Sequence, residues 1–320
     1  MDINKLSSRE AMGLSNTFSL SKKDNLSSLF EALRGYERIK LLDIVENVSY
    51  DILHRYVAGR LLAISGDSRI STLNPMMMDI PESEVRIGIN ESHIDHVMKC
   101  FPDIGLKREW ILKETPSFSI EINAFRCSKY LVTNQDFRVF LDDTKYEELP
   151  SSWEFGIYPE YKSNSPVYSV SFSAASEYVK WLSLKTNRKF RLLTEYEWEY
   201  MASGPVNKEF PWGNTLLYNN ANTLESGFLT STPVGIFTEG NSPFGICDVA
   251  GNVEEYVSCD YKPYSNSQYI HDDIALELGN YKVCRGGSFT RYLDLARCSR
   301  RHGAYPKDIY VIGFRVAEDI

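Results

Sequence analysis

Two histidines three residues apart are the first candidate for metal chemistry in this chain of 320 residues. If Ser92 caps a helix, His93 and His96 lie on one face of it, and Glu91 or Asp95 is near enough to add a carboxylate. Two imidazoles and one carboxylate form the set that holds non-haem Fe²⁺ in many oxygenases. The spacing therefore predicts an Fe²⁺ site at His93 and His96, and a solvated polar helix start is the alternative interpretation.

A group of arginines follows the Gly-Gly-Ser sequence that ends at Ser288. Guanidinium groups bind carboxylates and phosphates through paired hydrogen bonds, so a cationic cluster in an acidic chain indicates a pocket for an anionic group. The alternative is a set of surface arginines that pair with nearby acidic residues. His302 is adjacent in sequence and is expected in the same pocket. The cluster comprises Arg291, Arg297, Arg300 and Arg301.

The composition excludes several classes of protein. A net charge of −8 with no basic segment argues against nucleic-acid binding. The apolar runs are far shorter than the roughly 20 residues of a membrane-spanning helix, so no membrane partner is expected. The first residues lack the apolar segment of a secretory signal, and six widely spaced cysteines fit neither a zinc motif nor a disulfide framework. We therefore expect a cytoplasmic protein with reduced thiols, bacterial in its general character.

The N-terminal region must be helical, because apolar residues recur at helical spacing across 25–65 before a stop at Gly66. Two or three short helices are predicted there. Such a unit is too small to bury its own apolar face, so we expect it to pack on the rest of the chain. Ala58 and Gly59, in a stretch resembling a HEAT repeat, would permit close contact.

Beyond residue 116 the pattern predicts short strands, a few helices and long polar loops. One helix is expected to begin near Asn134, a second to span 174–186 with Ser173 as its N-cap, and a third to follow the N-cap Thr194. The glutamates of this third helix are expected to be caps and a solvated face; they are Glu195, Glu197 and Glu199.

Four stretches in order resemble the formylglycine-generating enzyme (sulfatase-modifying factor) domain. They are residues 124–137, 166–202, 241–256 and 285–289, the last closed by 313–316, with Pro211-Trp212-Gly213-Asn214 as a further match. The resemblance implies an α+β fold, the variant of the C-type lectin fold found in that family. It also implies two parts, an N-terminal helical segment at 1–72 and the family domain at 73–320.

The family's copper oxidases hold copper through two cysteines after the Gly-Gly-Ser sequence. The matching positions here are Arg291 and Ala296, so the resemblance does not extend to the copper ligands and copper chemistry is not expected. Ser288 and Arg301 match residues of the family's active site and substrate cleft, while Tyr256 replaces a tryptophan. Ser288, Arg291, Arg301 and Tyr256 are therefore the predicted catalytic group, with a peptide, protein or small molecule as the ligand near Ser288.

The family also binds structural Ca²⁺ in the loop that contains a Gly-Asn-Val-x-Glu sequence. The resemblance assigns a first site to Ala250, Gly251, Val253 and Glu255, and a second to the segment at Asn222. Ser226 stands where the second site would have aspartate. Oxygen ligands in a bent loop suit Ca²⁺, and a loop held by hydrogen bonds alone is the alternative.

Two functions follow from these observations. The first is a metal-dependent oxidase, of the non-haem iron type, that acts on a peptide or small molecule. The second is a non-catalytic, lectin-like module that binds a peptide or protein or has a regulatory role. The paired histidines favour the first, and the missing copper cysteines favour the second.

Overall fold

Short helices form the N-terminal part of the chain in the computed structural model, which describes residues 5–15, 17 and 26–320. A single turn, α1 (Ser8–Ala11), is followed by α2 (Leu26–Leu33), α3 (Arg38–Val45) and α4 (Ile52–Ser65). The Asp51 side chain caps α4 by accepting hydrogen bonds from two backbone amides, and Gly66 ends it with φ 99°. The predicted helical unit and its stop are therefore confirmed over the described residues.

This helical unit packs against a loop of the larger domain. Apolar residues of α3 and α4 share one buried cluster with Phe228, Ile236 and Phe237. Arg60 on α4 is buried and donates hydrogen bonds to Ser165 Oγ (2.9 Å) and to the Ser231 carbonyl (2.6 Å). The expectation that the unit packs on the rest of the chain is thus confirmed.

Six further helices lie in the described part of the larger domain. Capping boxes begin two of them, with Thr133 and Asp136 at one start and Thr194 and Glu197 at the other. The sequence predicts the second of these caps and, for the first helix, its start near Asn134. The helices are α5 (Ile94–Cys100), α6 (Arg108–Leu112), α7 (Asn134–Thr144), α8 (Phe172–Thr186), α9 (Glu195–Ser203) and α10 (Asp273–Leu278).

The predicted N-cap of α8 was wrong by two residues. Ser171, not Ser173, has the extended backbone of an N-cap and accepts a hydrogen bond from the Ala174 amide. Glu148 binds both the amide (2.8 Å) and the hydroxyl (2.7 Å) of Ser171. A carboxylate from a distant segment therefore selects between two serines that local sequence cannot distinguish.

Two four-stranded sheets and a two-stranded ribbon complete the fold over the described ranges. The sheet orders are β1-β4-β10-β5 and β8-β7-β6-β9, and the ribbon is β2-β3; all pairs are antiparallel except β6 with β9. The strands are β1 (Met77–Ile80), β2 (Ser83–Ile87), β3 (Phe118–Ile122), β4 (Phe125–Ser128), β5 (Phe190–Arg191), β6 (Glu254–Asp260), β7 (Lys282–Arg285), β8 (His302–Gly303), β9 (Ile312–Gly313) and β10 (Ala317–Asp319). The predicted α+β class is confirmed.

Aromatic side chains fill the main core between α7, α8 and the first sheet. The Phe140 ring meets Tyr178 and Trp181 edge-on at 5.6 and 5.5 Å, and Tyr178 meets Phe314 at 5.3 Å. Edge-to-face contacts of this kind add to the stabilisation from area burial. Among the described residues, no helix combines the length and apolar character needed to cross a bilayer.

Candidate functional site

His93 and His96 form a cluster with Glu209, a residue from a distant loop. The ligand atoms of the three side chains all lie within 4.8 Å of one another, and His93 Nε2 is 4.0 Å from Glu209 Oε1. Ser92 is not a cap, because it lies inside the 3₁₀ turn Glu91–His93, but the imidazole rings of His93 and His96 do lie together, with centroids 4.8 Å apart. The expected carboxylate, Glu91 or Asp95, was wrong: Glu209 completes the group, and Asp95 forms an ion pair with Arg108.

A tight turn fixes the position of Glu209. Its amide donates to Asn214 Oδ1 (2.9 Å), and its carbonyl accepts from the Cys298 amide (2.8 Å). Phe210 and Gly213 exchange backbone hydrogen bonds directly after it. The carboxylate is therefore presented to the histidines by backbone that is anchored on both sides.

The carboxylate of Glu209 has an unsatisfied oxygen. Its side chain is 13% exposed, and Oε1 is buried without a hydrogen-bond partner among the residues that the structure describes. Burying an unpaired carboxylate oxygen is costly, and a cation between Glu209 and the two histidines would remove that cost. Metal bonds of about 2.1 Å place neighbouring ligand atoms about 3 Å apart, so half-exposed histidines need to move inward by only an ångström or so. The donor set fits Fe²⁺.

The histidine cluster opens onto a cleft of about 350 Å³. Lys208 and Arg297 lie in its wall. The charge of Arg297 is compensated by Glu114, so Lys208 is the cation that this wall offers to a ligand. Cys100 Sγ is 3.5 Å from His96 Nε2, and burial raises the pKa of this thiol. Glu209 and Cys100 were both missed at the sequence level, because Glu209 is far away in sequence and Cys100 belongs to no motif.

A second pocket contains Arg291 and His302, as the sequence predicts for His302. His302 Nδ1 lies 2.6 Å from Glu254 Oε2, and His302 Nε2 lies 3.3 Å from Arg291 Nη2. Burial lowers the pKa of His302 to about 4, so the imidazole is neutral, donates through Nδ1 and accepts through Nε2. The strands β6, β7 and β8 create this alignment by placing Tyr256 opposite Cys284 and Cys284 opposite His302.

The four residues of the predicted catalytic group do not meet in this pocket. Arg291 lines it, and Ser288 is fully buried with its hydroxyl 3.0 Å from that of Thr290, which lines the pocket. Tyr256 is buried in β6 against Phe172, at a ring distance of 5.7 Å. The catalytic roles assigned to them remain predictions.

Arg301 is an internal ion-pair residue. It binds both oxygens of Glu195, at 2.7 and 2.8 Å, and stacks over Tyr264 at 4.1 Å. Arg297 binds Glu114 in the same two-pronged manner, at 2.6 and 2.8 Å. The interpretation of these arginines as surface residues was therefore wrong, since all of them are buried.

The glutamates of α9 are also not the solvated face that was expected. Glu197 does cap the helix, but Glu195 and Glu199 are buried. Glu199 forms an ion pair with Arg285 and accepts a hydrogen bond from the Gly88 amide at 2.6 Å. The helix is too close to β6 and β7 to leave these carboxylates in water, and buried arginines compensate their charge.

The residues assigned to Ca²⁺ lie in loops that are extensively hydrogen bonded. Both oxygens of Glu255 bind Arg315, at 2.5 and 2.8 Å, so this carboxylate is already neutralised. The side-chain Nδ2 of Asn222 donates to the Thr230 carbonyl (3.0 Å), and its Oδ1 accepts from Ser226 Oγ (2.9 Å). These contacts favour a loop held by hydrogen bonds, and a Ca²⁺ site remains a prediction.

The backbone of Ala250, Gly251 and Val253 turns sharply beside this network. Gly251 has φ 78°, and its amide donates to the Gly286 carbonyl at 2.7 Å. A Cβ atom at this position would lie 2.6 Å from the Asn222 carbonyl oxygen, so only glycine fits. The turn brings the calcium-assigned loop against the Gly-Gly-Ser segment.

Sequence comparison identifies relatives across the larger domain. The Sulfatase-modifying factor enzyme 1-like domain profile matches residues 73–320. A hercynine oxygenase of Mycolicibacterium smegmatis is 27% identical over 245 residues, covering 65% of this chain and 56% of that protein. The serine/threonine-protein kinase Pkn1 of Chlamydia trachomatis is 31% identical over 227 residues (65% and 35%), and the mouse formylglycine-generating enzyme is 28% identical over 264 (64% and 69%). The chain spans about half the length of the hercynine oxygenases and about a third of the length of Pkn1.

Solved structures share the fold. PvdO from Pseudomonas aeruginosa superposes with a TM-score of 0.58 at 23% identity, over 78% of this chain and 96% of PvdO. Variable protein 1 of Treponema denticola gives a TM-score of 0.55 at 20% identity, over 76% and 94%. At these identities the likeness concerns architecture alone.

Proposed function

Because the chain belongs to the sulfatase-modifying factor enzyme 1-like family, we propose that it is a metal-dependent oxidoreductase whose iron ligands are His93, His96 and Glu209. The observation that carries the proposal is the buried, unpartnered oxygen of Glu209 facing two imidazoles. The similarity to hercynine oxygenases supports an iron-dependent oxidation over other metal chemistry.

Iron held by this set would supply one-electron chemistry with dioxygen. The residues around it have separate tasks. Glu209 offsets part of the metal charge, and Lys208 gives the cleft an affinity for an anionic part of a peptide or small-molecule substrate. A reducing, cytoplasmic setting suits the six cysteines, all of which are free thiols.

Iron content of the purified full chain tests the proposal. After anaerobic loading with Fe²⁺ and desalting, the wild type should retain one iron per chain by elemental analysis. Glu209→Gln and His96→Ala should each weaken iron binding at least about tenfold, since each removes a ligand. His271→Ala is the matched control, because His271 lies outside the cluster and its ring contacts Tyr269.

Two results would contradict the proposal. One is a wild-type chain that retains no iron after desalting, and the other is iron retention by Glu209→Gln equal to that of the wild type. Iron-dependent oxygen consumption with cysteine-containing peptides and with hercynine plus a thiol then distinguishes substrate classes. The oxygen-consumption measurement identifies the substrate class alone, because the iron content already tests the metal site.

The alternative function is a non-catalytic module that binds a peptide or protein. It is supported by Arg301 and Tyr256, which are tied into internal contacts and do not form a catalytic cleft with Arg291. It is also supported by the Pkn1 relatives, because the region that matches this chain is only about a third of each of those kinases. A folded chain with no affinity for Fe²⁺ would favour this function.

A further inference from the structure

The pocket at Arg291 is separate from the histidine cleft and shares no lining residue with it. It lies among the end of α6, the start of α10 and the loop that follows β7, and Ala11 of α1 covers one side. The space inside it measures about 30 Å³. A space of this size holds about two water molecules or a chemical group of similar size.

The other cations around this pocket have acidic partners. Lys113 forms an ion pair with Asp272, and Arg300 Nε lies 3.7 Å from Asp294. A third lining carboxylate, Asp273, is bound by Lys107 at 2.8 Å. The opposite charges within each pair compensate one another, so these carboxylates do not neutralise Arg291.

Among the described residues, no carboxylate is within ion-pair distance of Arg291. Its Nη2 atom meets the neutral His302, and its guanidinium group lies over the Tyr310 ring at 4.7 Å. The residue is 5% exposed, yet Nε and Nη1 have no hydrogen-bond partner in the part of the chain that the structure describes. A buried guanidinium group with two unpartnered nitrogens is costly unless a ligand accepts its hydrogen bonds.

We propose that this pocket binds a carboxylate group, which accepts a hydrogen bond from the free Nη1 of Arg291. A carboxylate offers two strong acceptor oxygens and matches the space of about two waters. His302 is a positioning residue here, because it binds Nη2 and thereby turns the remaining nitrogens of Arg291 toward the cavity. The pocket therefore selects small organic acids, or the carboxylate end of a larger ligand.

Binding of formate and acetate to the full chain tests this proposal. In calorimetric titration both anions should bind saturably, and formate should raise the melting temperature through mass action. Chloride at equal ionic strength should give no saturable signal. Arg291→Met should weaken formate binding at least about tenfold, because charge-assisted hydrogen bonds are lost, and Arg34→Met, in an exposed ion pair, is the matched control.

Arg291→Lys is a second variant, used in case Arg291→Met does not fold. It keeps the positive charge but not the planar array of donors, so formate binding should again weaken while the melting temperature stays near that of the wild type. The proposal is overturned if wild-type protein responds identically to formate and chloride, or if Arg291→Lys binds formate as tightly as the wild type. Binding of inorganic phosphate as tight as that of formate would also overturn the assignment to carboxylates.

Discussion

The imidazole of His302 is held between a carboxylate and a guanidinium group. Its Nδ1–H donates to Glu254 and its Nε2 accepts from Arg291, an arrangement that only the neutral form can adopt. Burial is the main cause of the low pKa of His302, about 4, and outweighs the opposite effect of Glu254. Protonation of His302 at Nε2 would break its hydrogen bond with Arg291.

We therefore expect His302 to make stability depend on pH. Between about pH 6.5 and pH 4 the unfolded chain binds a proton at this residue and the native chain does not, so stability falls as pH falls. The loss approaches roughly 3 kcal/mol at pH 4. Urea unfolding of wild type and His302→Gln should show a stability difference that shrinks across this window, and parallel profiles would contradict the assignment.

Contacts between side chains that are close in sequence could be predicted from the sequence. His93 and His96 share a helix face, and His302 is close to Arg291 in both senses. Glu209 could not be found in this way, because the loop after α9 delivers it to a helix more than a hundred residues away. Arg301 was misplaced for the same reason, since its partner Glu195 lies on another element.

Among the elements, α9 shows how ion pairs replace apolar packing. The helix carries Glu195 and Glu199 into the interior, where Arg301 and Arg285 neutralise them. Arg301 also donates to the carbonyl of Lys113 at 2.9 Å, which ties α9 to the end of α6. The second sheet, α9 and the pocket at Arg291 are thus joined through buried charges.

Removing one member of such a pair should be far more damaging than removing a surface charge. Glu195→Gln leaves Arg301 buried without a counter-charge, so we expect a loss of about 3–5 kcal/mol in the free energy of unfolding. Glu177→Gln, in an exposed pair with Lys180, should change it by less than about 1 kcal/mol. Urea unfolding measures both, and equal losses would rule out the special role of the buried pair.

Helix starts were predictable to the extent that their signals are local. The capping boxes at Thr133 and Thr194 lie entirely within four residues, and both helices begin as predicted. The start of α8 depends on Glu148, and the two-residue strands β8 and β9 depend on pairing with β7 and β6. Contacts of that kind have no signature in the segment itself.

For the whole molecule, the joint between the helical unit and the larger domain depends on Gly59. A Cβ atom there would lie 2.6 Å from the Pro233 ring, so α4 sits directly on the loop at 233. Asn164 Nδ2 donates to the Gly59 carbonyl at 2.9 Å, which fixes the same contact from the side. The close approach expected from Ala58 and Gly59 is confirmed for Gly59.

Gly59→Ala should therefore loosen this joint. The added methyl group overlaps a proline ring that cannot yield, so we expect a loss of about 1–3 kcal/mol and faster proteolysis between α2 and α4. Gly35→Ala is the control, because no atom of the described residues lies within 4 Å of its Cβ position. Equal stability of the two variants would show that the contact at Pro233 does not fix the unit.

The single turn α1 gives the pocket at Arg291 a cover that is made from a different part of the chain. Ala11 is buried over the pocket, and Lys307 Nζ holds the Leu6 carbonyl at 2.8 Å. A helix of one turn has little stability of its own and opens far more readily than the core. Affinity for a carboxylate would thus be set at Arg291, while the time for which it stays bound would be set near the N-terminus. Residues 5–15 could change how quickly the site exchanges its ligand without altering which ligand it selects.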